Sequence, residues 1–296
     1  MPSLIGPLLL FAASPGPDGG TEAALGLAFG AVVGFSLGLT GGGGTIFAVP
    51  LLVYGLAVRP REAVGISLAA VGTTALVGGL RRLALGEVEV RTGLLFAAAG
   101  MLGAPAGSWL GRRLPEGLLL ILFAALMLAV AVRMWVQASR RPEETRALRA
   151  VFDDPAGGGG PSCRRDPNGR LHLTSRCFAV LVVSGLVAGA LSGLFGVGGG
   201  FVIVPALVLV TDMGIHRAVA TSLLVIALVG ASGVASHVAA GRPLPLSLTG
   251  LFVAGGLAGM EAGTLVGRRL GGPGLQKLFA AAMVAVAAFI VAKTLT

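Results

Sequence analysis

Long apolar runs separated by short charged stretches fill most of this chain. In the first half they cover roughly residues 23–39, 45–58, 62–80, 91–111 and 117–136; in the second, 178–195, 201–211, 217–236, 245–266 and 274–293. Crossing about 30 Å of hydrocarbon at 1.5 Å per residue takes about 20 helical residues. Four runs in each half approach that length. The second run of each half is too short and follows a glycine cluster, so it reads as a half-helix hinged to the run before it. The pattern predicts an all-α polytopic membrane protein. Each half holds a glycine-hinged re-entrant or broken helix pair plus three spanning helices.

The two halves are one unit written twice. GAVVGFSLGLTGGGGTIFAVP (30–50) and GLVAGALSGLFGVGGGFVIVP (185–205), at an offset of 155, agree at 10 of 21 positions. Ala63–Leu68 aligns with Ala218–Leu223, and LFAALMLAVAV (122–132) meets LFAAAMVAVAA (278–288) with 8 of 11 identical. The implied organisation is an N-terminal segment over 1–22, membrane repeat 1 over 23–136, a linker over 137–176 and membrane repeat 2 over 177–296. Residues 1–17 are apolar but lack a basic leading region, so they read as a short amphipathic start rather than a signal peptide. The linker is polar, proline-interrupted and glycine-rich, as a flexible connection is.

Composition supports a membrane protein and charge placement orients it. The chain is 55% hydrophobic and 12% charged, against roughly 25% charged in soluble domains. Net charge +9 with only 5% aromatics does not point to nucleic acid, because the arginines sit at the ends of apolar runs. If each half makes an odd number of net crossings, the repeats are inverted and Lys plus Arg divide 16 to 6 between the faces. Parallel repeats would divide them 14 to 8. The positive-inside rule favours the inverted arrangement, with 137–176 cytoplasmic and both termini external, in a bacterial inner membrane.

Glycine clusters inside apolar runs are the candidate chemistry. Gly41-Gly42-Gly43-Gly44 and Gly196-Val197-Gly198-Gly199-Gly200 lack the following Lys-Ser/Thr of a nucleotide loop. At membrane depth, irregular backbone is tolerated only where protein or a wet cavity covers it. Bare backbone N–H groups and the positive end of the next helix suit an anion, and paired broken helices mark two-fold transporters. The other reading is a tight bend that only packs. A second set recurs every four residues: Gly30, Gly34 and Gly38 with Gly185, Gly189 and Gly193, and Gly103, Gly107 and Gly111 with Gly255, Gly259, Gly263 and Gly267. These small-residue ridges are helix-packing surfaces.

Few polar groups lie at membrane depth. Thr40, Thr45, Ser67, Thr221 and Ser222 flank or face the hinges, with Ser67 and Ser222 at matched positions. The candidate substrate-binding set is therefore Thr40, Gly41, Gly43, Gly44, Thr45, Ser67, Gly196, Gly198, Gly199, Gly200, Thr221 and Ser222, although membrane hydroxyls often bond their own backbone. Glu261 is the one acidic residue within a long apolar run; it is either a proton-coupling group or a carboxylate reaching the interface near Arg268 and Arg269. His237 ends a span near Arg242 and reads as interfacial. Cys163 and Cys177, with no His pair nearby, make neither a metal site nor a disulfide framework. No catalytic constellation is visible, so the chain does not read as an enzyme, and no cofactor is implied.

These features resemble the sulfite exporter TauE/SafE family, also called the toluene sulfonate uptake permease family. The resemblance rests on the paired glycine clusters running to Pro50 and Pro205 and on the A-V-x-x-S-L elements at 63–68 and 218–223, and covers about residue 23 onward apart from the linker. It implies transport of a small sulfur-containing anion such as sulfite or a sulfonate. Thr45 where the second copy has Gly200, and Gly42 where it has Val197, leave open whether both loops bind alike. A passive anion channel and a membrane-embedded non-transport protein are the rival readings. Coupling by protons or Na+ and assembly as a homodimer stay open.

Overall fold

The computed structural model describes residues 19–140, 164–165, 171–172, 175–211, 213, 215–241, 244–267 and 273–295. Residues 1–18, Cys163, Arg242, Arg268, Arg269 and most of the linker lie outside the described residues. Helices account for nearly all of the rest.

The first half forms α1 (Gly19–Thr40), a short irregular α2, α3 (Pro60–Ala84), α4 (Val90–Arg113) and α5 (Glu116–Arg140). The second forms α6 (Ser175–Phe195), α7 (Gly200–Thr211), α8 (Ile215–Ala239), α9 (Leu246–Gly267) and α10 (Pro273–Leu295). Between the halves, β1 (Arg164–Arg165) pairs antiparallel with β2 (Leu171–His172). Among the described residues, six helices are long and apolar enough to cross a membrane: α1, α3, α4, α6, α8 and α9.

The two short segments differ. α7 is a continuous helix of 12 residues. α2 is a composite: a 3₁₀ turn Gly43–Phe47, an α turn Ala48–Pro50 and a π-type stretch Leu51–Gly55. Both segments carry a proline at the matched position, Pro50 and Pro205, so the missing backbone donor does not by itself explain why only α2 departs from α geometry.

The halves interlock. α1 packs on α9, α6 on α4, α3 on α8 and α5 on α10, each repeat lending its first helix to the other's fourth. Glycine makes these approaches. A Cβ placed on Gly34 would lie 1.9 Å from Gly256 O, and one on Gly189 would lie 2.0 Å from Gly100 O. The order of contacts gives each pair a direction. Gly30, Gly34 and Gly38 meet Phe252, Gly256 and Met260, so α1 and α9 run parallel. Gly65 meets His237, Gly72 meets Gly230 and Gly79 meets Leu224, so α3 and α8 run antiparallel.

Backbone groups freed by irregularities find partners across the interface. Pro105 lies inside α4 and cannot serve the carbonyl of Met101; Ser232 Oγ of α8 donates to that oxygen at 2.8 Å. Arg61 Nη2 donates at 3.0 Å to Leu114 O, beyond the end of α4. Two expectations need revision. His237 is 4% exposed and packed on Gly65, so protein rather than headgroup covers it. Cys177 is buried and disulfide-bonded, where spacing along the chain suggested no disulfide; spacing alone cannot report on spatial proximity.

Candidate functional site

Each glycine cluster stands where a long helix stops and a short one begins. Gly41 (φ +72°), Gly196 (φ +72°), Gly198 (φ +66°) and Gly199 (φ +68°) adopt left-handed backbone, and Gly42 has φ +156°. Any other L-residue would pay roughly 1–2 kcal/mol for such a conformation. Space restricts them equally. A Cβ on Gly41 would lie 2.2 Å from Val219 Cγ1, and one on Gly196 would lie 2.6 Å from Val64 Cα. Val64 and Val219 are repeat counterparts, so each loop is seated on the other repeat's third helix.

The loops meet backbone to backbone. A Cβ on Gly42 would fall 2.8 Å from the carbonyl carbon of Gly200, and one on Gly200 would fall 2.7 Å from Gly42 Cα. Beside that contact, Gly198 fits between Val71 and Ile226, counterparts near the middles of α3 and α8; its Cβ would come within 2.9 Å and 3.1 Å of them.

The matched serines hold the loop ends in a reciprocal exchange. Ser67 Oγ of α3 donates to Gly196 O, and Ser222 Oγ of α8 lies 2.8 Å from both Gly41 O and Val219 O. These glycine carbonyls sit past a helix end, where hydrocarbon offers no donor. Thr45 Oγ1 donates to Gly42 O and Thr40 Oγ1 to Ser36 O, both at 2.8 Å. Thr221 is turned elsewhere: its Oγ1 accepts the Glu89 N–H at 3.0 Å, at the start of α4. Gly43 and Gly44 open the 3₁₀ turn of α2. Glu261 pairs with Arg81, whose Nη1 lies 2.8 and 2.7 Å from the two carboxylate oxygens. Both side chains are more than half exposed.

Electrostatically the second loop is the stronger. The first intrahelical bonds of α7 run from Val202 N and Ile203 N to Gly199 O, both 2.9 Å. The N–H groups at its start therefore lack partners within the helix, and its peptide dipoles add along 12 residues. The broken path of α2 sums less well. Among the described residues no Lys or Arg side chain is buried.

Among the described residues, no glycine of either loop lines the two concavities. A gap of about 10 Å³ between α1, α3 and α9 holds at most one water-sized group. A groove of about 990 Å³ between α1, α2, α9 and α10 is lined mainly by apolar groups such as Phe35, Phe47, Leu51, Val286 and Phe289, a lining suited to hydrocarbon rather than an oxyanion.

Two residues emerge that the sequence reading passed over. Gly42 makes the contact with Gly200, yet it is one of the two cluster positions where the copies differ, so duplication did not single it out. Ser192 is fully buried beside Gly199, and its Oγ has no hydrogen-bond partner. A hydroxyl inside an apolar run, four residues before a glycine cluster, was the available signal.

Related proteins place these features. A "Probable membrane transporter protein" of Xylella fastidiosa (strain Temecula1) is 33% identical over 267 residues, covering 88% of this chain and 92% of the relative. "Probable membrane transporter protein YunE" of Bacillus subtilis is 28% identical over 250 residues, covering 81% and 87%. A similarly described protein of Haemophilus influenzae is 27% identical over 228 residues, covering 74% and 75%. No solved structure matches the chain. Residues 26–290 match the family described as "Sulfite exporter TauE/SafE". Six apolar helices, an interlocked duplicated bundle and this match together show that the chain belongs to the TauE/SafE family of multi-pass membrane transporters.

Proposed function

We propose that the protein is a permease moving a small sulfur-containing oxyanion or organosulfur acid across the bacterial inner membrane, through a site between the two glycine loops. The observation that carries this reading is the contact of Gly42 with Gly200, which brings the starts of α2 and α7 together inside the bundle. Backbone N–H groups are the donors such a site offers, with hydroxyls of Thr40, Thr45, Ser67 and Ser222 on or near its walls; the Thr221 hydroxyl faces α4 instead. The loops are packed against each other here, so admitting an anion requires them to separate.

The arrangement we infer is two inverted repeats, each with a re-entrant first pair. The antiparallel order of α3 against α8, with α1 parallel to α9, supports it. So does Gly55, whose Cβ would fall 2.4 Å from Phe29, as expected if α2 doubles back along α1. The 16-to-6 charge division then puts 137–176 in the cytoplasm. The disulfide at Cys177 pulls the other way, because reducing compartments seldom keep one. The charge division involves all 22 basic residues and carries more weight.

A thermal-shift screen of purified protein against sulfite, thiosulfate, methanesulfonate and simple carboxylates, followed by flux into proteoliposomes, tests the function. Stabilisation and flux with a sulfur oxyanion are expected. Neither with any sulfur anion, or a carboxylate response alone, would overturn the substrate class. Imposing a pH gradient separates a coupled carrier from a channel.

A further inference from the structure

We infer that Ser192 supplies a side-chain hydrogen bond to the permeant anion, so that the second glycine loop is the binding half of the site and the first its closing half. This rests on the permease reading above.

Ser192 lies in the last turn of α6, with 0% exposure and an Oγ without a hydrogen-bond partner. Buried hydroxyls are nearly always paired. Its own carbonyl is engaged, accepting the Gly196 N–H at 2.8 Å, so the side chain alone is unmet. The hydroxyl stands beside the start of α7. A Cβ on Gly199 would lie 3.3 Å from Ser192 Cβ. Gly199 immediately precedes the helix and its carbonyl takes the first two intrahelical bonds. An unsatisfied hydroxyl and the N–H-rich start of a 12-residue helix therefore occupy one spot.

The first loop offers no equivalent. The counterpart of Ser192 is Leu37, apolar and 1% exposed. The counterpart of Gly200 is Thr45, whose hydroxyl is engaged with Gly42 O. The helix that follows is broken three ways over Gly43–Gly55. Gly42 instead lies against Gly200, where it covers the start of α7.

The donor set also selects charge. A hydroxyl and backbone N–H groups, with no buried Lys or Arg among the described residues, stabilise one negative charge far better than two. A second charge would be desolvated without a counter-ion. The ligand class is a singly charged oxyanion with at least two oxygens to accept bonds, such as a sulfonate or hydrogen sulfite.

Purified wild type, Ser192→Ala and Leu37→Ser are titrated with methanesulfonate and with sulfate, reading melting temperature. Wild type is expected to respond to methanesulfonate at concentrations at least 10-fold below any response to sulfate. In Ser192→Ala the methanesulfonate affinity falls at least 10-fold, while the melting temperature without anion holds or rises, since an unsatisfied hydroxyl has been removed. Leu37→Ser leaves methanesulfonate affinity within about 3-fold of wild type. Unchanged affinity in Ser192→Ala overturns the assignment. So does a lower anion-free melting temperature in that variant, which would mean that the hydroxyl has a structural partner. Preference for sulfate refutes the charge selection. Wild type unmoved by both anions and by sulfite overturns the permease reading and this inference with it.

Discussion

Two glycines of one helix, Gly250 and Gly259 of α9, should respond to alanine with opposite signs. At Gly259 a Cβ would lie 2.0 Å from Ala31 O, 2.7 Å from Ala31 C and 2.8 Å from Ala31 Cα, and all three are backbone atoms that cannot rotate aside. Helices α1 and α9 must separate by roughly 1 Å, an overpacking cost of about 1–3 kcal/mol. Close Cα–H···O contacts, worth about 0.5–1 kcal/mol each, weaken with the separation. Against this stands the gain of about 1 kcal/mol that alanine brings to a helix interior. The net expectation is a loss of about 1–3 kcal/mol. At Gly250 nothing lies within 4 Å of the added Cβ, so only the helix gain of about 0.5–1 kcal/mol remains. The variants should differ by about 1.5–4 kcal/mol in the same helix. Folded protein remaining by size exclusion after a heating series in mild detergent measures the order. Gly259→Ala as stable as Gly250→Ala would refute the close parallel packing of α1 on α9.

The serine exchange makes a symmetric claim: Ser67→Ala and Ser222→Ala each strand a buried glycine carbonyl and should lower stability by about 1–3 kcal/mol in a denaturant titration. If only one does, the two latches are not equivalent. For Glu261, whose pair with Arg81 is more than half exposed, Glu261→Gln should change stability by less than about 1 kcal/mol and leave pH-driven uptake intact. Abolished uptake with preserved anion exchange would instead make it the coupling group. An epitope inserted into 137–176 should be reached by antibody only after the membrane is opened, while a tag at Thr296 should be accessible from outside intact cells. Finding both on one side refutes the inverted arrangement. Alanine at Gly30 or Gly185, whose Cβ atoms would meet Phe252 O at 2.3 Å and Phe96 O at 2.6 Å, should lower melting temperature without changing anion selectivity.

Apolar run length and glycine spacing already determined the helices. The ten runs read from hydropathy fall within a few residues of the observed elements, because a bilayer leaves helix as the main way to satisfy backbone along an apolar segment. The four-residue glycine ridges were legible for the same local reason, and the ridges of α1 and α6 do meet other backbones at contact distance. Duplication pointed to Ser67 and Ser222 as a pair. What the chain could not disclose was which surfaces meet. That α1 lies on α9 and α6 on α4 depends on packing between segments more than 60 residues apart. The same holds for the serines, whose partners are glycine carbonyls 129 and 181 residues away. Thr221 carries a hydroxyl beside Ser222 yet faces α4, since adjacent positions on a helix point about 100° apart. Ser192 gained its meaning only when folding buried it beside Gly199 with its Oγ unpaired. Sequence sets the inventory of polar groups in a membrane bundle; tertiary packing decides which of them remain unsatisfied.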